Sequence, residues 1–224
     1  MTNIQVSTMV SAGTKSFFFL LLLLFSCFSL VAQQLREGDL LFCCSDSVNA
    51  ITAVTSGVDD LPIDHVAVVH YLGGEDGPLY VIEAIKPEVC LTPIDTFMMN
   101  NSTVLVGRVN VDCDVAASVA KCLAMLGKPY DDLYMPGDSA VYCSELVRMS
   151  YVNTVGELIF TPIPMSFHDN FGQVTDYWIN FYAQRGMPVP EGKPGTNPGE
   201  LSRRSQVTII GRYRCQETIL DRKF

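Results

Sequence analysis

Beyond the first thirty-odd residues, the apolar positions fall into short runs broken by Gly, Pro, Asn and Asp, with three helical patterns among them. Gly38-Asp39 opens a short apolar strand over residues 40–43. Residues 45–56 predict a short helix with Ala50, Ile51 and Val54 on one side. Residues 65–71 and 79–85, rich in β-branched and aromatic side chains, predict two strands. The turn signal Gly73-Gly74-Glu75-Asp76-Gly77-Pro78 joins them into an antiparallel hairpin. A further strand spans residues 103–109. A helix follows over residues 114–126, with Asp114 as N-cap and Gly127 as C-cap. After a loop that begins at Pro129-Tyr130-Asp131, a third helix runs from about Cys143 to Tyr151. Residues 161–205 are rich in proline, and residues 188–198 read as an ordered wrapping loop. Residues 207–213 close the chain as a strand. The fold class this predicts is α+β.

The hairpin makes a geometric statement. With its turn centred on Gly74, residues whose numbers sum to 148 lie opposite one another, so His65 faces Glu83, Ala67 faces Val81 and Val69 faces Leu79. A slip of one residue separates the His from the Glu. In the favourable register the carboxylate accepts a hydrogen bond from one imidazole nitrogen, fixing the tautomer and stabilising the imidazolium. His70, five positions on, points to the other face. Glu83 sits inside Tyr80-Val81-Ile82-Glu83-Ala84, where a charge is costly without a partner, and His65 is the nearest one.

The first 32 residues contain Lys15, no acid and an apolar run over residues 17–31 that ends at Ala32, which reads as a signal peptide. A membrane-spanning helix needs about 20 apolar residues, so an anchor is the weaker reading. A loose lipobox, Leu24-Phe25-Ser26-Cys27, offers lipid attachment at Cys27 as an alternative, and membrane association is expected only in that case. The expected division is a leader at residues 1–32 and one domain at residues 33–224, exported to the periplasm or secreted. The leader holds one of the 15 Lys and Arg and none of the 24 Asp and Glu, so the remainder carries a formal charge of −10. That disfavours a nucleic-acid partner.

Seven cysteines lie outside the leader: Cys43, Cys44, Cys90, Cys113, Cys122, Cys143 and Cys215. An odd number leaves at least one thiol unpaired within the chain. Cys143 opens a predicted helix, where unpaired backbone N–H groups and the positive end of the dipole favour thiolate, and a neighbouring His65 would favour it further. Cys113, also at a helix start, competes with it on these grounds. HExxH, paired CxxC and Gly-rich phosphate loops are absent, and the reading calls for no metal or cofactor.

Five segments taken in order carry a family resemblance: Gly38-Asp39-Leu40-Leu41-Phe42, Asp64-His65-Val66-Ala67-Val68-Val69, Val81-Ile82-Glu83-Ala84, Gly127-Lys128-Pro129-Tyr130-Asp131 and Tyr142-Cys143-Ser144-Glu145-Leu146-Val147. Through them the chain resembles the YiiX/YebB-like, permuted papain-type cysteine amidases and peptidases of the NlpC superfamily, and Pro194-Gly195-Thr196-Asn197-Pro198-Gly199-Glu200-Leu201 is similar to the tail of those proteins. The resemblance implies a circularly permuted papain-like domain, an antiparallel sheet packed with helices. It makes Cys143 the nucleophile, His65 the general base and then acid, and Glu83 the residue that orients His65. The backbone N–H of Cys143 meets the oxyanion in part, and Tyr142 and Tyr130 become pocket walls. Relatives often carry a polar residue such as Gln after Gly-Asp-x-x-Phe. Here Cys43 and Cys44 follow, which leaves Ser45 as a substitute donor.

The implied reaction is attack on an amide or ester carbonyl, a thioacyl intermediate, and release to water or an amine. The substrate class expected is a cell-wall peptide or similar small amide. Two alternatives are an acyl-group enzyme of the lecithin retinol acyltransferase type, a thioesterase or acyltransferase on lipid, and a non-catalytic binding module on the same fold.

Overall fold

The apolar runs assemble into a six-stranded antiparallel sheet. The structure is a computed structural model that describes residues 35–137 and 139–214. The expected leader, Cys27 and Cys215 lie outside the described residues. In chain order the strands and helices are β1 (Leu40–Cys44), β2 (Ile63–Tyr71), β3 (Leu79–Ala84), β4 (Val89–Pro93), α1 (Ile94–Asn100), β5 (Thr103–Val109), α2 (Val115–Leu123), α3 (Cys143–Ser150), β6 (Ile163–Pro164), α4 (Asp176–Ala183), β7 (Pro194–Gly195), α5 (Pro198–Ser202) and β8 (Val207–Arg214). A 3-10 turn covers Val58–Asp60. The sheet order is β4-β3-β2-β1-β5-β8, with β6 and β7 forming a separate two-stranded ladder.

The central strands are apolar on both faces because both are covered. Leu40, Leu41, Phe42 and Cys43 are all buried, as are Val66 to Val69. Leu40, Phe42, Val66, Val68, Ile82 and Ala84 form one core with Val119 and Cys122 of α2 and with Leu146 and Val147 of α3. Burying a Leu or Phe side chain contributes about 1.5–3 kcal/mol, so this layer seats α3 on the sheet. Gly38, at φ +75°, turns the chain into β1. A Cβ there would approach Val115 Cγ1 to 2.7 Å, and its carbonyl accepts from the Tyr151 hydroxyl at 2.6 Å, tying the end of α3 to the strand. Among the described residues, no helix is long and apolar enough to cross a membrane.

Three expectations need correction. The β2–β3 register pairs Val68 with Ile82, Val69 with Val81, His70 with Tyr80 and Tyr71 with Leu79. The pairs sum to 150, not 148, because the connection folds into two successive turns: Gly74 N–H donates to Tyr71 O at 3.2 Å and Gly77 N–H to Gly74 O at 2.8 Å. His65 therefore does not stand directly opposite Glu83. A shift of two preserves the faces, however, and leaves the pair diagonal.

Residues 45–56 are turns rather than a helix. Asn49 Oδ1 accepts from the N–H groups of Ile51 and Thr52 at 2.9 and 3.0 Å, taking donors a helix would use, and Ile51, Thr52, Val54 and Thr55 are β-branched. The helix expected to reach residue 126 ends at Leu123. Tighter turns follow, with Met125 N–H on Cys122 O and Leu126 N–H on Leu123 O, up to Gly127 at φ +77°. Its N-cap is Asp114, whose side chain accepts from Ala117 N–H at 2.9 Å. The strand β4 and the helices α1, α4 and α5 had no counterpart in the sequence reading.

Candidate active site

Cys143 is the first residue of α3, with Tyr142 as N-cap in an extended conformation. The N–H groups of the first helical turn have no partner within the helix, so their donors and the helix dipole converge beside the Cys143 sulfur. This start is strapped from above by the segment after β7. Thr196 N–H donates to the Tyr142 hydroxyl oxygen at 3.0 Å, and Thr196 Oγ1 lies 3.1 Å from Ser144 Oγ. The strap lies close: a Cβ on Gly195 would meet Met165 and come within 2.9 Å of the Tyr142 hydroxyl.

His65 enters β2 as the cross-strand partner of Cys43. Its Nε2 lies 2.7 Å from Glu83 Oε2, and Thr92 Oγ1 of β4 donates to the other carboxylate oxygen at 2.5 Å. The imidazole also hydrogen bonds Cys143, and with Nε2 engaged by Glu83 the nitrogen left for the sulfur is Nδ1. Phe97 of α1 leans against the ring at a centroid distance of 6.4 Å.

Burial alone would lower the imidazole pKa. The hydrogen bonds and charges of Cys143 and Glu83 outweigh it, pushing His65 from 6.5 up to about 10. Burial likewise would raise Glu83, only 4% exposed, but the hydrogen bonds from His65 and Thr92 and the imidazole charge hold the carboxyl below its usual value. At neutral pH the proton therefore resides on His65 and Glu83 is a carboxylate.

Of the other sequence-designated residues, Tyr142 lines the cavity in front of Cys143, whose volume is about 60 Å3. Tyr130 is not in that lining. It shares a hydrogen bond with Tyr134, which does line it, and burial pushes both phenols up, Tyr134 to about 12. The structure does not bring Ser45 to the site: its hydroxyl donates to Ser47 O at 2.8 Å and accepts from Asn49 Nδ2 at 3.1 Å. Cys113 half-buries beside Ser118 at 3.8 Å with its pKa raised by burial, and Cys143 is the described thiol in contact with an imidazole.

The residues missed in the sequence reading are Thr92, Thr196 and the aromatic wall. Tyr134 packs edge-on against Tyr142 and Trp178, with centroids 5.3 and 5.6 Å away. Trp178 anchors the 45–56 turns through Nε1–H to Ala50 O at 3.0 Å. Glu145, in the same first turn as Cys143, pairs with Arg148 at 3.0 Å. Its burial pushes the carboxyl up to about 7.

The sequence pattern of the permuted papain-like amidase enzymes, the YaeF/YiiX or C92 family, matches residues 34–211. The chain belongs to that family. Among solved structures, the fold of this YaeF/YiiX-type amidase family member matches one titled as the metalloprotein yiiX from Escherichia coli O157:H7, with TM-score 0.66 and 22% identity, covering 81% of this chain and 99% of that one. No curated protein sequence matched the chain. Among the described residues of this family member, no group of three or more His, Cys, Asp and Glu is disposed to hold a metal ion. The antiparallel sheet with α3 packed on it is an α+β architecture consistent with that permuted papain-like family.

Proposed function

We propose that the chain is an exported cysteine amidase or peptidase that works through a thioacyl intermediate on Cys143, acting on a cell-wall peptide or a similar small amide. The observation that carries this reading is the single imidazole of His65 bonded on one side to Cys143 and on the other to Glu83. The Cys143 thiolate attacks the carbonyl carbon, and the oxyanion is met by N–H groups at the start of α3. Collapse breaks the C–N bond as the His65 imidazolium protonates the leaving amine. Neutral His65 then takes a proton from water, which attacks the thioester and frees the acid and the Cys143 sulfur. Glu83 holds the ring in one tautomer and offsets its charge throughout. The aromatic cavity at the sulfur, with Tyr134, Tyr142 and Trp178 in its lining, supports an amide whose acyl half presents an apolar or aromatic side chain there.

Alkylation tests the nucleophile assignment. Limiting iodoacetamide at pH 7, followed by peptide mapping, is expected to label Cys143 ahead of Cys43, Cys44, Cys90, Cys113 and Cys122, whose pKa values burial raises. His65→Gln should abolish the preference. Uniform labelling, or a preference that survives His65→Gln, contradicts the pairing. Export rests on the apolar leader: the protein recovered outside the cytoplasm should begin at Gln33, and a chain retained inside with Met1 intact would oppose it.

A further inference from the structure

The nucleophile and its imidazole open on different sides. Cys143 faces the aromatic cavity, which His65 does not line, while His65 and Glu83 line a separate recess with Asp64, Phe97 and Asn100. The leaving amine must reach His65 to be protonated, so the amine half of the substrate lies toward that recess and the acyl half lies toward the aromatic cavity. On its outer side the aromatic cavity shares Val54, Thr55, Ser166 and Asn197 with a groove of about 580 Å3. That groove is of ligand-site size and is continuous with the place where the acyl half must sit.

The groove differs in chemistry from the cavity it joins. Thr52, Ser56, Asn170 and Asn197 supply hydrogen-bonding groups, α5 contributes Glu200, and Arg203 follows as its C-cap. Glu200 is already matched, because Arg204 Nη2 donates to its Oε2 at 3.0 Å and Arg204 Nε to its Oε1. Arg203 is different: its backbone N–H bonds Glu200 O, and among the described residues no carboxylate pairs with its guanidinium. Asp60 stands on the 3-10 turn of the same groove, in the left-handed region at φ 56°, and Val58 N–H donates to Ser202 Oγ of α5 at 2.9 Å, which ties that turn to the helix that Arg203 caps. A guanidinium without a carboxylate partner among the described residues, in a groove that continues the acyl side, is a ready fork for a carboxylate.

We propose that the acyl half of the substrate runs from Cys143 through the aromatic cavity into this groove and carries a carboxylate there that pairs with Arg203. This rests on the amidase reading and adds the substrate's acyl-side anion. Asp60, on the neighbouring wall, confines the negative charge to the Arg203 side.

The test uses two amides alike in every part except that charge: succinyl-Ala-Phe-p-nitroanilide, and its methoxysuccinyl counterpart in which the carboxylate is a neutral methyl ester. The phenylalanine suits the aromatic cavity and the anilide is the leaving amine. Wild-type protein is expected to favour the succinyl compound by about two- to fivefold in kcat/KM, carried by KM, as for a pair made by the exposed Arg203. Arg203→Glu should bring the ratio to one or below, with Arg203→Lys retaining part of it. A wild-type ratio of one, or a preference that survives Arg203→Glu, overturns the inference. If neither anilide is cleaved, the amidase reading fails on these probes. Calorimetric binding of the two to the Cys143→Ala protein, with and without Arg203→Glu, then decides the inference separately. Tighter binding of the succinyl compound that depends on Arg203 supports it, and equal or absent binding overturns it.

Discussion

Cys143→Ala is expected to lower amide hydrolysis by about 10^3- to 10^6-fold while leaving the fold intact, since removing a nucleophile removes the covalent path and leaves only what binding and the oxyanion donors supply. The side chain is buried at the head of α3, and loss of one sulfur leaves a small cavity beside Tyr142 rather than an unpaired charge. The loss should appear in kcat, because the substrate's contacts with Tyr134, Tyr142 and Trp178 remain. Steady-state kinetics on an anilide substrate check this. A variant retaining a tenth or more of wild-type kcat would remove Cys143 from the chemistry.

Glu83→Gln carries the second largest effect, a fall of about 10^2- to 10^4-fold in kcat, because an amide can neither fix the tautomer nor offset the charge of His65. It also changes how stability follows pH. In the native protein His65 holds its proton up to about 10 against an ordinary 6.5, so its contribution is complete below 6.5 and is lost as pH rises toward 10. Glu83 is shifted the other way: its contribution is present above its ordinary 4.5 and is lost as pH falls through its lower native value. This pair therefore contributes most between about 4.5 and 6.5. Denaturant unfolding across pH should show both declines in the wild type, with Glu83→Gln removing the acid one and shallowing the alkaline one. Parallel curves for the two proteins would mean that the pair is not coupled as the hydrogen bonds indicate.

Much of this site was legible in the letters for reasons that can be named. His65 and Glu83 share a sheet face by parity, and parity survives an error of two residues in register; an error of one would have separated them. Cys143 at a helix start was legible because the loop after Pro129-Tyr130-Asp131 leads into it, but choosing it over Cys113 needed the family resemblance. The burial of Ala50, Ile51 and Val54 against the Trp178 cluster matches their spacing, yet the backbone there is held in turns by the Asn49 side chain. Periodicity reports which side chains are buried, not what closes the backbone hydrogen bonds.

What stayed illegible depends on long sequence separation. Thr196 meets Tyr142 across 54 positions, and Tyr182 donates its hydroxyl proton to Leu133 O at 2.7 Å across 49. No local pattern encodes such contacts. Thr92 was missed for a related reason: β4 is half-buried and edge-placed, with no strong alternation of its own, so the residue that completes the Glu83 carboxylate fell in an unassigned segment. Ser45 was nominated from its neighbourhood in sequence to a β1 residue that does approach His65, but the strand ends at Cys44 and the chain turns away.

Acyl trapping tests the central claim most directly. The protein is mixed with an activated N-acyl amino acid p-nitrophenyl ester, quenched in acid within seconds, and mapped by mass spectrometry. The account predicts one acyl mass on the peptide holding Cys143, absent from Cys143→Ala, and persisting longer in Glu83→Gln because the water step also needs the oriented imidazole. An acyl mass on another thiol, or one equally present in Cys143→Ala, would contradict it.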